Sequence, residues 1–148
     1  MMQEKQAEPL LEQDFIVQGG DFIHAGEVSS SIKAILKEIG MSHDVIRRAA
    51  IATYEAEMNV VCYARWAAFH LAITPEQLTV IAEDQGQGIP DIEQAMQEGF
   101  STSTREIKEM GFGAGMGLPN IKKNADKLNI SSVVDEGTRV EMVIYTRK

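Results

Sequence analysis

The chain has 148 residues, 44% of them hydrophobic and 24% charged, with a net charge of −8 and one cysteine. These values predict a single soluble globular domain with its own core, and the negative balance argues against nucleic acid or an anionic membrane as partner, since both are gripped through Lys and Arg. Cys62 alone excludes an internal disulfide, and no stretch nears the ~20 apolar residues of a bilayer span, so a cytoplasmic setting is expected.

Residues 1–10 are polar and charged and read as a flexible arm ahead of one domain spanning 11–148. Leu11 to Gln18, LEQDFIVQ, predicts a first strand stopped by Gly19-Gly20. From Phe22 to Ile39, Val28, Ile32, Ile35, Leu36 and Ile39 recur at helical spacing, and Gly40 closes the helix. Ser42 is placed to cap a second helix reaching Tyr63, with Asp44 in its first turn. Val45, Ala49, Ala52, Ala56, Val60 and Tyr63 form the core stripe of that helix. Glu55 and Asn59, four residues apart, share a face beside it. Glu57 is expected to point the opposite way, into solvent.

Trp66 to Thr74 and Leu78 to Glu83 predict two strands about a turn at Pro75. His70, within the first of them, reads as a structural histidine among apolar neighbours, because no second His or Cys stands at metal spacing; His24 and His43 read as surface residues. The second strand ends at Asp84, followed by Gly86 and Gly88, which let a flat ligand approach the backbone closely. A short helix is predicted over Ile89 to Met96, then a polar lid from Gly99 to Met110. A glycine run, Gly111 to Gly117, opens onto a helix from Leu118 to Leu128. Asn129 to Val134 and Thr138 to Tyr145 make a terminal hairpin around Asp135-Glu136-Gly137. The order predicts an α+β fold, a two-layer α/β sandwich whose mixed, mainly antiparallel sheet carries its helices on one face.

A glycine-rich loop feeding a helix N-terminus turns free N–H groups toward an anion, typically phosphate. A P-loop is excluded because Leu118-Pro119 follows Gly117, and a dinucleotide fingerprint because a polar lid precedes the run; either glycine cluster alone also fits a purely structural turn. Beside a phosphate, the Glu55 carboxylate could act as general base, and the Asn59 amide oxygen suits Mg²⁺.

The succession Glu55-x-x-x-Asn59, Asp84-x-Gly86-x-Gly88, Gly113-x-Gly115-x-Gly117 and Gly137-Thr138 resembles the ATPase superfamily shared by gyrase, Hsp90, histidine kinases and MutL. Within it, IAEDQGQGIPDIEQAMQEGFSTS is most similar to the anti-sigma-factor serine/threonine kinases, in particular the stressosome switch kinases. The resemblance implies a Bergerat-type ATP-binding fold and a Mg·ATP-dependent serine/threonine protein kinase. It gives Glu55 the role of general base and Asn59 that of Mg²⁺ ligand. Asp84 would accept from the adenine amino group, with Thr138 helping through a water and Gly86 and Gly88 letting adenine lie against the backbone. Gly113, Gly115 and Gly117 would wrap the phosphates. Arg105 and Lys108 in the lid either neutralise the γ-phosphate when the lid closes or belong to a solvated loop. The implied partners are a STAS-domain antagonist and a sigma factor or other regulator, with a homodimer as the assembly. The alternative is an ATP-shaped protein that sequesters a sigma factor without transferring phosphate.

Overall fold

Alternation along the strands sets the architecture of the computed structural model, which describes residues 9–97 and 117–146. In β2 (Ala64–Ile73), Ala67, Phe69, Leu71 and Ile73 are buried, and Leu78, Val80 and Ala82 match them in β3 (Gln77–Gly86). Side chains of a strand point alternately to its two faces, so one face of the sheet is the core. With β1 (Leu11–Gln18), β4 (Lys127–Val133) and β5 (Gly137–Tyr145) they form a five-stranded sheet in the order β1-β2-β3-β5-β4. Every pairing is antiparallel, in line with the expected mainly antiparallel sheet. The α+β, two-layer arrangement is as the sequence predicts.

The helical layer is centred on α2 (His43–Tyr63), which packs on β1, β2, β3 and β5 and is flanked by α1 (Glu27–Ile39) and α4 (Gly117–Asn124). Its 21 residues make it about 31 Å long, enough to cross the sheet. Ser42 caps it, its hydroxyl accepting the Val45 N–H at 3.2 Å. α1 starts five residues later than the apolar spacing suggests, because Gly26 adopts φ 97, a left-handed conformation that breaks the helical run. Gly40 ends α1 as expected, with φ 88 and Met41 N–H reaching back to the Leu36 carbonyl. The one-turn α3 (Ile92–Ala95) is capped by Asp91, which accepts the Gln94 N–H at 3.0 Å. α4 stops at Asn124, short of the predicted Leu128. The Asn124 amide bonds back to the Asn120 carbonyl, and Asp126 leaves the helical path to accept the Tyr145 N–H at 2.7 Å and to pair with Arg48 at 3.0 Å. The predicted lid at 99–110 and the glycines up to Gly115 lie outside the described residues.

His70 is satisfied, but on the less covered face of the sheet rather than among apolar side chains: its ring pairs across to Asp14 and Glu12 on β1, and Asp14 holds its pKa above the ordinary histidine value. Cys62 is half-buried, and burial pushes its thiol pKa up, as suits an unreactive cysteine.

Glu57 overturns the sequence expectation. It is not solvated but 1% exposed, and its carboxylate caps the N-terminus of α1. Oε2 accepts from Gly26 N–H at 3.0 Å and Val28 N–H at 3.1 Å, and Oε1 from Ser29 N–H at 3.1 Å. A helix begins with N–H groups that have no internal acceptor and with a partial positive charge, and a buried carboxylate answers both. Gly26 has no side chain to do so itself. Removing the carboxylate strands three N–H groups, two of them buried at about 1–3 kcal/mol each and one part-buried. Glu57→Ala should therefore lower the unfolding free energy by about 3 kcal/mol or more, and Glu57→Gln, which keeps one acceptor oxygen, by less; urea titrations of the three proteins measure the difference.

Candidate nucleotide-binding site

Two places in the fold gather the polar residues singled out by the sequence. The first is the seam between α2 and α4. Asn59 faces the first residue of α4: a Cβ on Gly117 would lie 3.0 Å from Asn59 Oδ1. One turn back along α2 and one turn forward along α4, the Asn120 amide donates to Glu55 Oε1 at 3.3 Å. The helices thus run past each other in opposite senses, and a bare glycine lets the amide of Asn59 come up against the α4 N-terminus. Among the described residues the Asn59 side chain has no hydrogen-bond partner, and neither has Glu55 Oε2. Burial raises the Glu55 pKa above the ordinary glutamate range, and the Asn120 hydrogen bond opposes that rise. The sequence reading missed Asn120, whose only signal was its place three residues after Gly117, on the same face of a helix.

The second place is the end of β3. Glu83 pairs in register with Arg139, so the start of β5 lies beside Asp84, and Asp84 Oδ1 accepts the Thr138 N–H at 3.0 Å. Burial raises the Asp84 pKa, and the Thr138 N–H pulls it the other way. Oδ2 takes no hydrogen bond among the described residues. Ser132 anchors the neighbourhood: its hydroxyl accepts from Ile89 N–H at 2.7 Å, donates to the Gly137 carbonyl at 3.1 Å and lies 2.8 Å from Thr138 Oγ1.

The glycines here serve the fold directly. Gly88 has φ 76, and a Cβ would stand 2.5 Å from the Val133 carbonyl oxygen and 2.8 Å from Val134 Cα, so the loop after β3 seats against the β4–β5 turn. A Cβ on Gly137 would run into the Asp84 carbonyl oxygen. The residue that turns the hairpin is Asp135, with φ 66, rather than Gly137. Gly113, Gly115, Arg105 and Lys108 lie outside the described residues.

An adenine nucleotide fits these groups. Among the described residues Asp84 keeps one oxygen of a half-buried carboxyl for a donor, and the Asn59 amide, with no partner among them, meets the α4 N-terminus, where N–H groups favour phosphate. Among the described residues no cluster of three or more His, Cys, Asp or Glu could hold a metal.

Comparison with known proteins gives the family of this domain. Residues 21–144 match the histidine kinase-like ATPase domain, and the chain belongs to that family. It is 34% identical over 117 residues to the serine/threonine-protein kinase RsbT of Bacillus subtilis (strain 168), covering 76% of this chain and 82% of the relative. It is 27% identical over 121 residues to the anti-sigma F factor of Thermoanaerobacter sp. (strain X514), covering 82% of this chain and 77% of that one. These relatives place the chain among the anti-sigma-factor kinases of the superfamily. The crystal structure of the RsbU and RsbW domains of Rv1364c from Mycobacterium tuberculosis superposes with a TM-score of 0.58 over 92% of this chain at 15% identity; the match spans 33% of that longer chain, and the likeness is one of fold. Membership of an ATPase-domain family implies ATP binding. No helix among the described residues is long and apolar enough to cross a membrane.

Two outcomes follow from the geometry. Asp84→Asn replaces a charged acceptor by an amide, and losing a hydrogen bond to a charged group costs about 1.5–3 kcal/mol, so ATP affinity measured by calorimetry should fall at least about tenfold. Glu55 has its pKa raised in the fold, so the native state favours the protonated carboxyl. The stability it contributes is full below the unfolded pKa and is lost as pH rises through the folded one. Glu55→Gln should therefore melt higher than the parent at about pH 8 and converge with it toward about pH 4; thermal denaturation across that range tests the sign.

Proposed function

We propose that the chain is a Mg·ATP-dependent serine/threonine protein kinase that acts on a STAS-domain antagonist in a partner-switching pathway. The single observation that carries the reading is the α2–α4 seam, where an acid and an unpartnered amide one helical turn apart meet a helix N-terminus. Likeness to a serine/threonine-protein kinase supports it. Bound Mg·ATP would supply the transferable phosphoryl group and the metal that neutralises its charge. The chain's own part is then positioning and proton transfer, which is most of what phosphoryl transfer asks of a protein.

In this reading Asp84 Oδ2 takes a proton-bearing edge of the base, with Thr138 beside it and Gly86 bare next to it, while Gly88 seats the following loop against the β4–β5 turn so that the backbone can lie under the base. Gly117, with Gly113 and Gly115 ahead of it, leaves the α4 N–H groups clear to hold phosphate. Asn59 supplies the amide oxygen to Mg²⁺. Glu55, with Oε1 held by Asn120, takes the hydroxyl proton of the protein substrate at Oε2, and a raised pKa brings that carboxylate nearer the working pH. Arg105 and Lys108 are assigned to the γ-phosphate.

The anti-sigma relatives favour a second reading, in which ATP shapes a surface that sequesters a sigma factor, as a homodimer, with no transfer. Labelled γ-phosphate separates the two. In the kinase reading Glu55→Ala keeps ATP binding and loses transfer to the antagonist by a factor of about 100 or more; undiminished transfer removes Glu55 as base. In the second reading ATP alters partner affinity while no label moves.

A further inference from the structure

We propose that Asn120 is the positioning residue of the Glu55 carboxyl group, holding one of its oxygens from the helix that begins at the phosphate-facing Gly117. The inference rests on the reading of Glu55 as general base and deepens it. The geometry has three parts. The Asn120 amide donates to Glu55 Oε1 at 3.3 Å across the α2–α4 seam. Gly117, three residues earlier in the same helix, packs against the Asn59 amide. The far end of α4 is pinned as well, because Asp126, just beyond it, pairs with Arg48 of α2 at 3.0 Å. One short helix therefore carries both the residue facing the proposed metal ligand and the donor to the proposed base. It is locked to α2 along its length, so seating the phosphates on α4 and aiming Glu55 are one placement.

Among the described residues a single neutral donor does this work, and no charge shares it. On α2, Glu57 is turned into α1 and Arg48 is engaged by Asp126 and Asp44. On the other elements packed against it stand Lys122 and Lys123, exposed on α4, Lys33 and Lys37 of α1, and Asp84 of β3. None of these acts appreciably on Glu55, whose ionisation answers to its burial and to the Asn120 amide. A neutral donor keeps the carboxylate basic, whereas a salt bridge to Lys or Arg would depress its pKa and weaken it as a base.

The test uses the full chain. In nucleotide-free protein, the side-chain amide signals of Asn120, followed by NMR through a pH titration, should track a carboxyl group in the wild type and cease to do so in Glu55→Gln. In Asn120→Ala, shown to be folded by its melting curve, kcat for phosphate transfer should fall about tenfold or more. The Kd for ATP should stay within about twofold, and the acid limb of the kcat profile should move to higher pH. A merely structural role would weaken ATP binding and kcat together and leave that limb in place. Asn120 signals blind to Glu55, or an unaltered kcat in Asn120→Ala beside an inactive Glu55→Gln, overturn this inference alone. Transfer at the wild-type rate by Glu55→Gln removes the base reading, and this inference with it.

Discussion

The buried carboxylate of Glu57 is the interaction on which the rest of the helical layer depends. It lies midway between Glu55 and Asn59 in the chain, and a two-residue step turns a helix by about 200°. While Glu57 reaches inward to the start of α1, its two neighbours at distance two must face the other way, toward α4. The cap and the candidate site are thus two sides of one rotational setting of α2. A rotation of that helix which freed Glu57 from α1 would also carry Glu55 and Asn59 off the seam.

The other half of the site obeys a constraint of a different kind, the close approach of two loops. Gly88 lies against Val133 and Val134, and Gly137 against the Asp84 carbonyl, while Glu136 accepts the Gly86 N–H and Gln87 accepts the Asp135 N–H. Backbone meets backbone with no side chain between. The end of β3 is held as firmly by the β4–β5 turn as by its own ladder, and Asp84 is presented from a braced tip rather than a loose one.

Much of this was legible in the sequence, for reasons that vary by element. β1 matches its predicted residues one for one, since a β-branched and aromatic run between polar ends leaves few alternatives. α2 was legible from a serine cap and a three-and-four spacing. Glu57 was misread because a single apolar stripe was assumed, whereas α2 is covered on several sides: Thr53 and Glu57 lie one turn apart on the flank against α1, and both are buried. The start of α1 was misplaced because Phe22 continues the apolar spacing, and only the torsion at Gly26 stops it. Asp84, Gly86, Gly88 and Gly137 were legible as a group. That Gly88 and Gly137 are needed for contacts within the protein depends on which strand neighbours which, and the insertion of β5 between β3 and β4 is a long-range fact that no local pattern carries.

Ser132 has a consequence for chemistry at the sheet end. A hydroxyl owns one proton, and that of Ser132 is committed to the Gly137 carbonyl, so Thr138 must spend its own proton on Ser132. The Thr138 oxygen is then left as an acceptor, in the residue whose N–H already holds Asp84. An ionised Asp84 and this threonine present electron pairs and no hydrogens, a lining that welcomes an amino group and repels a carbonyl. Discrimination between an amino-purine and an oxo-purine would then begin at a serine that never meets the base.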